Sequence, residues 1–307
     1  MREREDKNID GEHIPVMLQE TIEALGLKEG FVVVDATTNR AGHSIEIAKQ
    51  IGKSGTLVCI DLDEKALEEA KARLDKLHNS PKVIFVNRNF REIREILNDL
   101  QIEKVDAVVA DLGLSSQELD VSGRGFTFQK NEPLLMTFSS KFSDDQLTAK
   151  DIVNNWQEET LADIIYYFAD ERYAKRIAKR IVEYRKTDEI QTTFQLVEII
   201  NSSIPNKYAH SKTNPATKTF QALRMAVNDE VGSMKDLINS LSDVLRIGGR
   251  ASIITFHSIE DRIVKQTARE QKYLQAINKK PITASEQELK TNPRSRSAKL
   301  RIYEYNN

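Results

Sequence analysis

Four short apolar runs in the first third of the chain constrain its fold more than any other feature. They occupy residues 31–35, 56–61, 83–87 and 105–111, and each is a continuous apolar stretch rather than an alternation of apolar and polar residues. Strands that are buried on both faces have this pattern. The runs therefore predict a parallel sheet that is covered on both sides.

The segments between these runs have the periodicity of helices. Helices are predicted over residues 43–51, 64–78 and 90–100. In the second of them, small and apolar residues recur at spacings of three and four: Ala66, Leu67, Ala70, Leu74 and Leu77. Strands that alternate with helices in this way predict a doubly wound α/β domain.

The pattern changes after Asp111 and returns in the last third of the chain. Residues 112–145 have no period and are expected to form a long loop, and residues 148–202 are predicted to be helical without strands. Two further strands are predicted at residues 251–256 and 299–305. The sequence thus predicts an α/β domain with an all-helical insert. The expected division is residues 12–120 and 214–307 for the α/β domain, residues 121–213 for the insert and residues 1–11 for a flexible N-terminus.

Composition and charge narrow the class of protein. The formal net charge of −2 argues against a protein that is basic throughout, and a single cysteine, Cys59, excludes disulfide frameworks and Cys-based zinc sites. No apolar run approaches the roughly 20 residues needed to cross a bilayer, and the charged N-terminus does not resemble a secretory signal. We therefore expect a soluble cytoplasmic protein without a metal centre.

Polar and aromatic residues follow the predicted strands at their carboxyl ends, where ligands bind in open α/β sheets. Asp61 ends the second strand about 20 residues after the first loop, the position from which a carboxylate binds ribose hydroxyl groups. Phe90 could pack against a base ring, and Asp111 ends the fourth strand. Structural alternatives exist, because Asp63 could cap the next helix while Asp61 does nothing more, and Phe90 could belong to the core.

The first loop, residues 35–44, contains neither the G-x-G-x-x-G fingerprint nor a G-x-x-x-x-G-K-[ST] loop. A nicotinamide dinucleotide and S-adenosylmethionine both suit a site at strand ends, but only the dinucleotide has a pyrophosphate to cradle. The missing fingerprint therefore favours S-adenosylmethionine.

Seven segments are similar, in order and spacing, to the RsmH (MraW) family of enzymes. They are HIPVM at 13–17, DATTNRAGHS at 35–44, DLGLSSQELD at 111–120, RGFTF at 124–128, PATKTFQALRMAVNDE at 215–230, GGRASIITFHSIEDRIVK at 248–265 and NPRSRSAKLR at 292–301. The resemblance implies a class I (Rossmann-like) methyltransferase sheet with an inserted helical domain that recognises substrate. It also implies S-adenosylmethionine-dependent methylation of N4 of a cytidine in the decoding region of small-subunit (16S) ribosomal RNA. The implied partner is that RNA or the 30S subunit, and a homodimer is left open.

The resemblance also assigns cofactor contacts. They are Ala41, Gly42, His43, Asp61, Phe90, Asp111 and Glu118, the last standing where the family usually has glutamine. The family usually has glycine at the positions of Asn39 and Ala41, and an aspartate and an arginine at the positions of Leu135 and Thr137. Asparagine tolerates positive φ better than most residues and alanine adds only a methyl group, so we expect the loop geometry to persist.

Catalysis is expected at the end of the fourth strand, where amino-group methyltransferases place their acid or amide and backbone carbonyls. Asp111, or the hydroxyl groups of Ser115 and Ser116 with nearby carbonyls, would accept hydrogen bonds from the target amine. The alternative is that Asp111 contacts only the cofactor. His257 follows a later strand and could accept a proton, or it could instead fix the turn at that point.

Two basic segments are expected to contact RNA. On a helix, the cations of the first form a stripe that would track phosphates without reading sequence: Arg172, Lys175, Arg176, Lys179 and Arg180. A solvated surface is the alternative, in which Glu171 and Glu183 pair with part of the stripe. The second segment, residues 290–301, has the stronger claim, because five cations without an acid have few internal partners.

Two other functions remain open on the residues alone. A non-catalytic S-adenosylmethionine-binding RNA protein acting in small-subunit assembly would be consistent with Glu118 and with the uncharged Leu135 and Thr137. A nicotinamide-dependent oxidoreductase is supported only by the acids at the strand ends.

Overall fold

The computed structural model describes residues 14–113, 122–139, 146–205 and 214–307, and a seven-stranded sheet is its central element. The strands are β1 Val32–Asp35, β2 Thr56–Ile60, β3 Lys82–Val86, β4 Val105–Asp111, β5 Leu245–Thr255, β6 Leu274–Ala276 and β7 Lys299–Tyr305. Their order across the sheet is β3-β2-β1-β4-β5-β7-β6. Strands β1 to β5 run parallel, and β7 lies antiparallel between β5 and β6. The predicted α/β fold class is confirmed.

Two features of the sheet differ from the prediction. Strand β5 begins at Leu245 rather than at residue 251, and its pairing with β4 is irregular, because Leu245 lies opposite Val105 whereas Arg250 lies opposite Ala107. Residues 246–248 of this early part are exposed, which interrupts any apolar run. Strand β6 has only three residues, two of them exposed, and is too short to produce a period.

Twelve helices occur in the described ranges. They are α1 Leu18–Leu25, α2 Gly42–Ile51, α3 Glu64–Leu74, α4 Ile93–Asp99, α5 Ala149–Asn155, α6 Glu158–Ala169, α7 Ala174–Tyr184, α8 Thr193–Ser203, α9 Ala216–Val227, α10 Glu230–Val244, α11 Ser258–Glu270 and α12 Glu286–Thr291. Helix α3 ends four residues before its predicted end. The Leu77 N–H donates to the Leu74 carbonyl, three residues back instead of four, and the chain then turns at Asn79, with φ 61°. Within the same ranges, no helix has the length and apolar character needed to cross a membrane.

Each face of the sheet has its own apolar core. Val33 and Leu57 pack with α1, α2 and α3, whereas their neighbours Val34 and Val58 pack with α4, α10 and α11 on the opposite face. Successive side chains of a strand point to opposite faces, so a strand covered on both sides is apolar throughout. This double burial explains the continuous apolar runs of the sequence.

Helices α5 to α9 share a third apolar core with residues 122–139. Thr148 begins α5 and Thr192 begins α8, each with a capping box in which Asp151 or Gln195 returns the hydrogen bond. The core includes one or more residues from every helix of the group: Ile152, Ile165, Ile181, Leu196 and Phe220. We refer to residues 122–139 and helices α5 to α9 as the helical unit.

Candidate active site

The order of the strands reverses between β1 and β4, and Asp35 and Asp111 end these two strands. Ligands bind at such a switch point in open α/β sheets. A cavity of about 860 Å³ lies at this edge. Ala41 belongs to the core rather than to the cavity wall, and Ser115 and Glu118 lie outside the described residues. The other predicted site residues line the cavity together: Gly42, His43, Asp61, Phe90 and Asp111.

The loop after β1 contains two residues in the left-handed conformation. Asn39 has φ 46° and Ala41 has φ 61°. Glycine adopts this conformation without steric cost, and the family that the sequence resembles usually has glycine at both positions. Thr38 N–H donates to the Ile60 carbonyl at 3.0 Å and so ties the loop to β2. The loop thus follows a path that favours glycine while using asparagine and alanine.

The start of α2 is packed against residues 15 and 16. A Cβ atom at Gly42 would lie 2.4 Å from Cγ of Pro15, a distance that atoms do not tolerate. The buried His43 places its Nε2 atom 3.1 Å from the Val16 carbonyl oxygen, and because a carbonyl only accepts, Nε2 carries the hydrogen. Gly42 and His43 therefore hold in place a segment that itself lines the cavity.

The sequence left open whether Asp61 faces a ligand or only Asp63 has a role, as a helix cap. Asp63 caps α3 by accepting the Lys65 N–H at 3.0 Å. Asp61 accepts the backbone N–H groups of Asn39 at 2.7 Å and of Asp63 at 2.9 Å, one on each oxygen. These two bonds fix the orientation of the Asp61 carboxylate at the wall of the cavity. A carboxylate at the end of the second strand is in the position that binds ribose hydroxyl groups in such folds.

Phe90 contacts both the apolar core and the cavity, the two environments that the sequence allowed for it. It begins a short 3₁₀ turn that Asn89 caps by accepting the Arg91 N–H at 3.0 Å. The ring is half-buried, packs against the core beneath α4 and α10, and also lines the cavity. An apolar ring held in this way can contact a planar base.

Asp111 combines a backbone N–H held by Thr37 with a buried carboxyl group at the cavity wall. Its N–H donates to Thr37 Oγ1 at 2.6 Å, whereas its buried Oδ1 atom has no hydrogen-bond partner among the described residues. Burial, followed by the negative charges of Asp35 and Glu260, raises the pKa of Asp111 to about 8, against a hydrogen bond from the Gly113 N–H that lowers it. A proton can therefore be held or released at this position near neutral pH.

Four charged or titratable side chains form a buried network beside the cavity. Arg224 binds Glu230 through two hydrogen bonds of 2.6 and 2.7 Å and lies 3.5 Å from Glu260. His257 caps α11 by accepting the Glu260 N–H on Nδ1 at 3.3 Å, and its Nε2 lies 2.8 Å from Oε1 of Glu260. Burial acts to raise the pKa of Glu260, but His257 and Arg224 outweigh it and the pKa is lowered. Among these groups, Arg224 and Glu230 line the cavity, and His257 fixes the turn after β5.

The helical unit supplies a large part of the wall that sequence reasoning missed. From residues 122–139 come Arg124, Phe126, Phe128, Met136 and Phe138, and from α9 come Thr217, Phe220, Gln221 and Arg224. The members from α9 are spaced i, i+3, i+4 and i+7, which is one face of a helix. The available signal was a helix face on which polar residues and a phenylalanine recur at helical spacing.

The two uncharged departures from the family pattern do not line the cavity. Thr137 is fully buried, with its hydroxyl 3.4 Å from the Ser139 carbonyl, and Leu135 is half-buried beside it. An arginine–carboxylate pair does occur at the wall, between Arg124 and Asp63 at 3.4 Å. Arg124 also donates to the Phe138 carbonyl at 2.6 Å, so this pair connects the helical unit to the end of β2.

The basic segments differ in how far their charges are paired. Lys299 and Arg301 both bind Asp261, at 3.4 and 2.7 Å, so the expectation that the second segment has few internal partners is wrong for these two cations. Asp261 comes from α11, far from them in the sequence. Arg294 lines the cavity, and Arg296 is exposed.

Four of the five predicted cations of the stripe lie on α7, whereas Arg172 precedes the helix, which begins at Ala174, so the prediction that Arg172 is helical is wrong. All five are exposed. The apolar side of α7, which includes Ile177 and Ile181, is buried in the helical unit. Glu183 pairs with Lys179 at 3.9 Å and Arg180 at 3.6 Å, whereas Glu171 lies 4.0 Å from Lys218 instead of pairing within the stripe. The two pairs with Glu183 are long and exposed to solvent, and such surface ion pairs are weak. The stripe therefore stays electrostatically positive.

The lining suits S-adenosylmethionine. Asp61 places a carboxylate where ribose hydroxyl groups bind, Phe90 offers a ring for a base, and the loop at Gly42 needs no pyrophosphate cradle. In the described part of the chain, no three His, Cys, Asp or Glu side chains are grouped so that they could hold a metal ion. A doubly wound sheet with this site at its switch point is the architecture of class I methyltransferases.

The chain belongs to the MraW methylase family, whose model matches residues 10–306. This match confirms the resemblance found in the sequence motifs, and with it S-adenosylmethionine as the cofactor. The alternative of a nicotinamide-dependent oxidoreductase is thereby set aside.

Solved structures of other methyltransferases overlay on the chain. An rRNA methylase from Streptococcus thermophilus matches with 11% identity and a TM-score of 0.45, covering 96% of this chain and 100% of that one. SMU.1697c from Streptococcus mutans in complex with SAH matches with 11% identity and a TM-score of 0.46, covering 95% and 99%. TrmN from Thermus thermophilus matches with 11% identity and a TM-score of 0.46, covering 94% and 48%. Similarities this low do not bear on function, so the family match carries the assignment.

Proposed function

We propose that the protein transfers a methyl group from S-adenosylmethionine to N4 of a cytidine in the decoding region of small-subunit (16S) ribosomal RNA. The observation that carries the proposal is Oδ1 of Asp111, a buried carboxyl oxygen without a partner among the described residues, at the wall of the cavity shared with Asp61 and Phe90. Family membership supports methyl transfer, and this acceptor supports an amine as its target.

The chemistry requires an acceptor next to the amine. S-adenosylmethionine, when bound, supplies an electrophilic methyl group on a positively charged sulfonium. The lone pair of a cytosine amino group is delocalised into the ring, so the protein must hold the nitrogen in line and receive the proton that it loses. Asp111, in its ionised form, accepts a hydrogen bond from the amine and then that proton. Ser115 and Ser116, which follow Asp111 closely in the sequence, are proposed as further acceptors.

An RNA substrate is supported by charge and by size. The stripe on α7 offers exposed cations for phosphates, in keeping with a substrate-recognition role for residues 121–213. A cavity of about 860 Å³ is near the upper end of the range for small-molecule sites, which leaves room for a nucleotide beside the cofactor. The target must be unstacked to enter it, so a nucleotide in a loop or single strand is expected. We expect a cytoplasmic enzyme, because its proposed substrate is the small ribosomal subunit or its RNA.

Methyl transfer to undermethylated small ribosomal subunits, with the modified nucleoside identified by mass spectrometry, tests this function. We expect N4-methylcytidine from the wild-type protein and a loss of at least about 100-fold with Asp111→Ala, in the range of acid–base contributions. The exposed Asp163→Ala is the matched control.

Calorimetric titration with S-adenosylmethionine separates the alternatives. Binding of the cofactor without methyl transfer to RNA would support the non-catalytic assembly protein and overturn the proposed function. Activity of Asp111→Ala within a few-fold of wild type would remove Asp111 from the mechanism.

A further inference from the structure

One face of α9 forms the wall that the helical unit contributes to the cavity. Thr217, Phe220, Gln221 and Arg224 all line the cavity, and their spacing places them on the same side of the helix. The sheet contributes the strand-end residues of the cavity, including Asp111. A ligand between these walls would therefore touch groups from both the helical unit and the sheet.

Aromatic rings make up much of the helical unit's wall. Phe220 is almost fully buried and meets Phe128 edge to face, with 5.5 Å between the ring centres and 84° between the planes. Phe126 and Phe138 form a second, stacked pair with 5.9 Å between centres. Extruded bases are commonly held between aromatic side chains in enzymes that act on them. The wall has the character of a base site.

Gln221 is the neutral amide on this face, and its orientation is set by contacts inside the protein. Its Nε2 atom donates to the Phe168 carbonyl at 2.9 Å and lies 3.9 Å from Sδ of Met225. Both contacts use the donor side of the amide. The acceptor side, Oε1, is then the polar group that Gln221 offers to a ligand in the cavity.

We propose that Gln221 selects a base with an exocyclic amino group by accepting one of its N–H bonds on Oε1, while Phe220 and Phe128 hold the base plane. This inference rests on the proposed function and names a residue that determines its specificity. Cytosine presents an N–H donor at the position where uracil presents a carbonyl oxygen. A uracil in the same pose would place two acceptors against each other, and sites built around one hydrogen bond discriminate strongly against an analogue that cannot make it.

The pose assigns the two N–H bonds of the amine to different acceptors. Gln221 takes one of them from the wall of the helical unit, and Asp111 takes the other from the sheet. Gln221 keeps its hydrogen bond throughout the reaction, so it is a specificity-determining residue, and the proton that leaves goes to Asp111.

Binding of two RNA fragments tests this inference. The fragments carry the target segment with cytidine or with uridine at the target position, and the protein is saturated with S-adenosylhomocysteine, the product form of the cofactor, so that no transfer occurs. We expect the wild-type protein to prefer cytidine by about 10-fold or more, and Gln221→Met, which keeps the size but removes the acceptor, to lower this preference to about two-fold. Gln287→Met, at an exposed position on α12, is the matched control and should keep the full preference.

The outcomes separate this inference from the proposed function. Weaker binding of both fragments to the same extent, or an unchanged preference in Gln221→Met, would mean that Gln221 only packs α9 against α6 and would overturn the inference. A wild-type protein that methylates no RNA would instead overturn the proposed function, and the inference with it.

A second measurement needs no variant and so holds even if Gln221→Met does not fold. An RNA with 2-pyrimidinone at the target position lacks the amino group but keeps the ring. The wild-type protein should bind it about 10-fold more weakly than the cytidine fragment. Equal affinity would overturn the inference.

Discussion

Asp35 and Asp111 end neighbouring strands and are joined through Thr37. The Thr37 N–H donates to Oδ1 of Asp35 at 3.2 Å, and the Thr37 hydroxyl accepts the Asp111 N–H at 2.6 Å. Burial raises the pKa of Asp35 to about 6, although Ser44 donates a hydrogen bond to it. Burial and then the charge of Asp35 raise the pKa of Asp111 to about 8. The switch point therefore holds two acids that ionise more readily in the unfolded chain than in the folded one.

The first prediction concerns stability against pH. Between about pH 4 and pH 8 the unfolded chain has released the Asp111 proton, while the folded protein still holds it. The contribution of Asp111 to the free energy of unfolding is therefore full below pH 4 and is lost as the pH rises toward 8. Asp111→Asn cannot ionise, and its free energy of unfolding should fall less over this interval, by roughly 4–6 kcal/mol, because each unit of pKa difference corresponds to about 1.4 kcal/mol. Urea unfolding of the cofactor-free protein at several pH values measures the difference. Asp163→Asn, at an exposed site, should follow the wild type.

A second prediction concerns the packing of Gly42 against Pro15. Gly42→Ala places a methyl group in the position where Cβ lies 2.4 Å from Pro15, which must displace the segment that lines the cavity. We expect a loss of about 1–3 kcal/mol in stability, and an affinity for S-adenosylmethionine about 10-fold lower by calorimetric titration. Gly248→Ala is the control, because Gly248 has φ 79° but no neighbour within 4 Å of its Cβ position. It should lose stability from backbone strain and bind the cofactor as wild type does.

The left-handed conformation of Asn39 leads to a third prediction. Asn39→Gly should leave both stability and cofactor affinity within about 1 kcal/mol of wild type, because glycine adopts φ 46° without strain. Asn39→Val should cost about 1–2 kcal/mol, because a β-branched residue is disfavoured there. It should also weaken cofactor binding, since the Asn39 N–H orients Asp61. Equal behaviour of the two variants in unfolding and titration would contradict this account of the loop.

The fourth prediction concerns the basic stripe on α7. Lys175→Gln combined with Lys179→Gln should weaken binding of small-subunit RNA fragments and lower the slope of log affinity against log salt by roughly 1–2, if each lysine meets a phosphate. Lys71→Gln combined with Lys76→Gln is the control, because it removes the same charge from two exposed positions, Lys71 within α3 and Lys76 after it. Binding titrations at several salt concentrations should leave this control close to wild type. Equal changes in both pairs would point to general charge rather than to a stripe that binds RNA.

Local sequence patterns are sufficient to predict β1 to β4, the later part of β5 and β7, together with the residues that end the parallel strands. The continuous apolar runs follow from burial on both faces, as Val33 and Val34 illustrate, and Asp61 and Asp111 were located because they directly follow such runs. The early part of β5 and the short β6 were missed, since exposed or very short strands produce no period.

The sequence by itself determined which residues end the strands at the switch point, because strand period and strand ends are properties of neighbouring residues. Only the tertiary structure decided what meets them. Arg124 binds Asp63 across 61 positions of sequence, Asp261 binds Arg301 across 40, and Gln221 and Asp111 line one cavity although one lies on α9 and the other ends β4. Such contacts depend on how distant segments pack against each other, and no period or composition within a segment encodes the partner that packing brings to it.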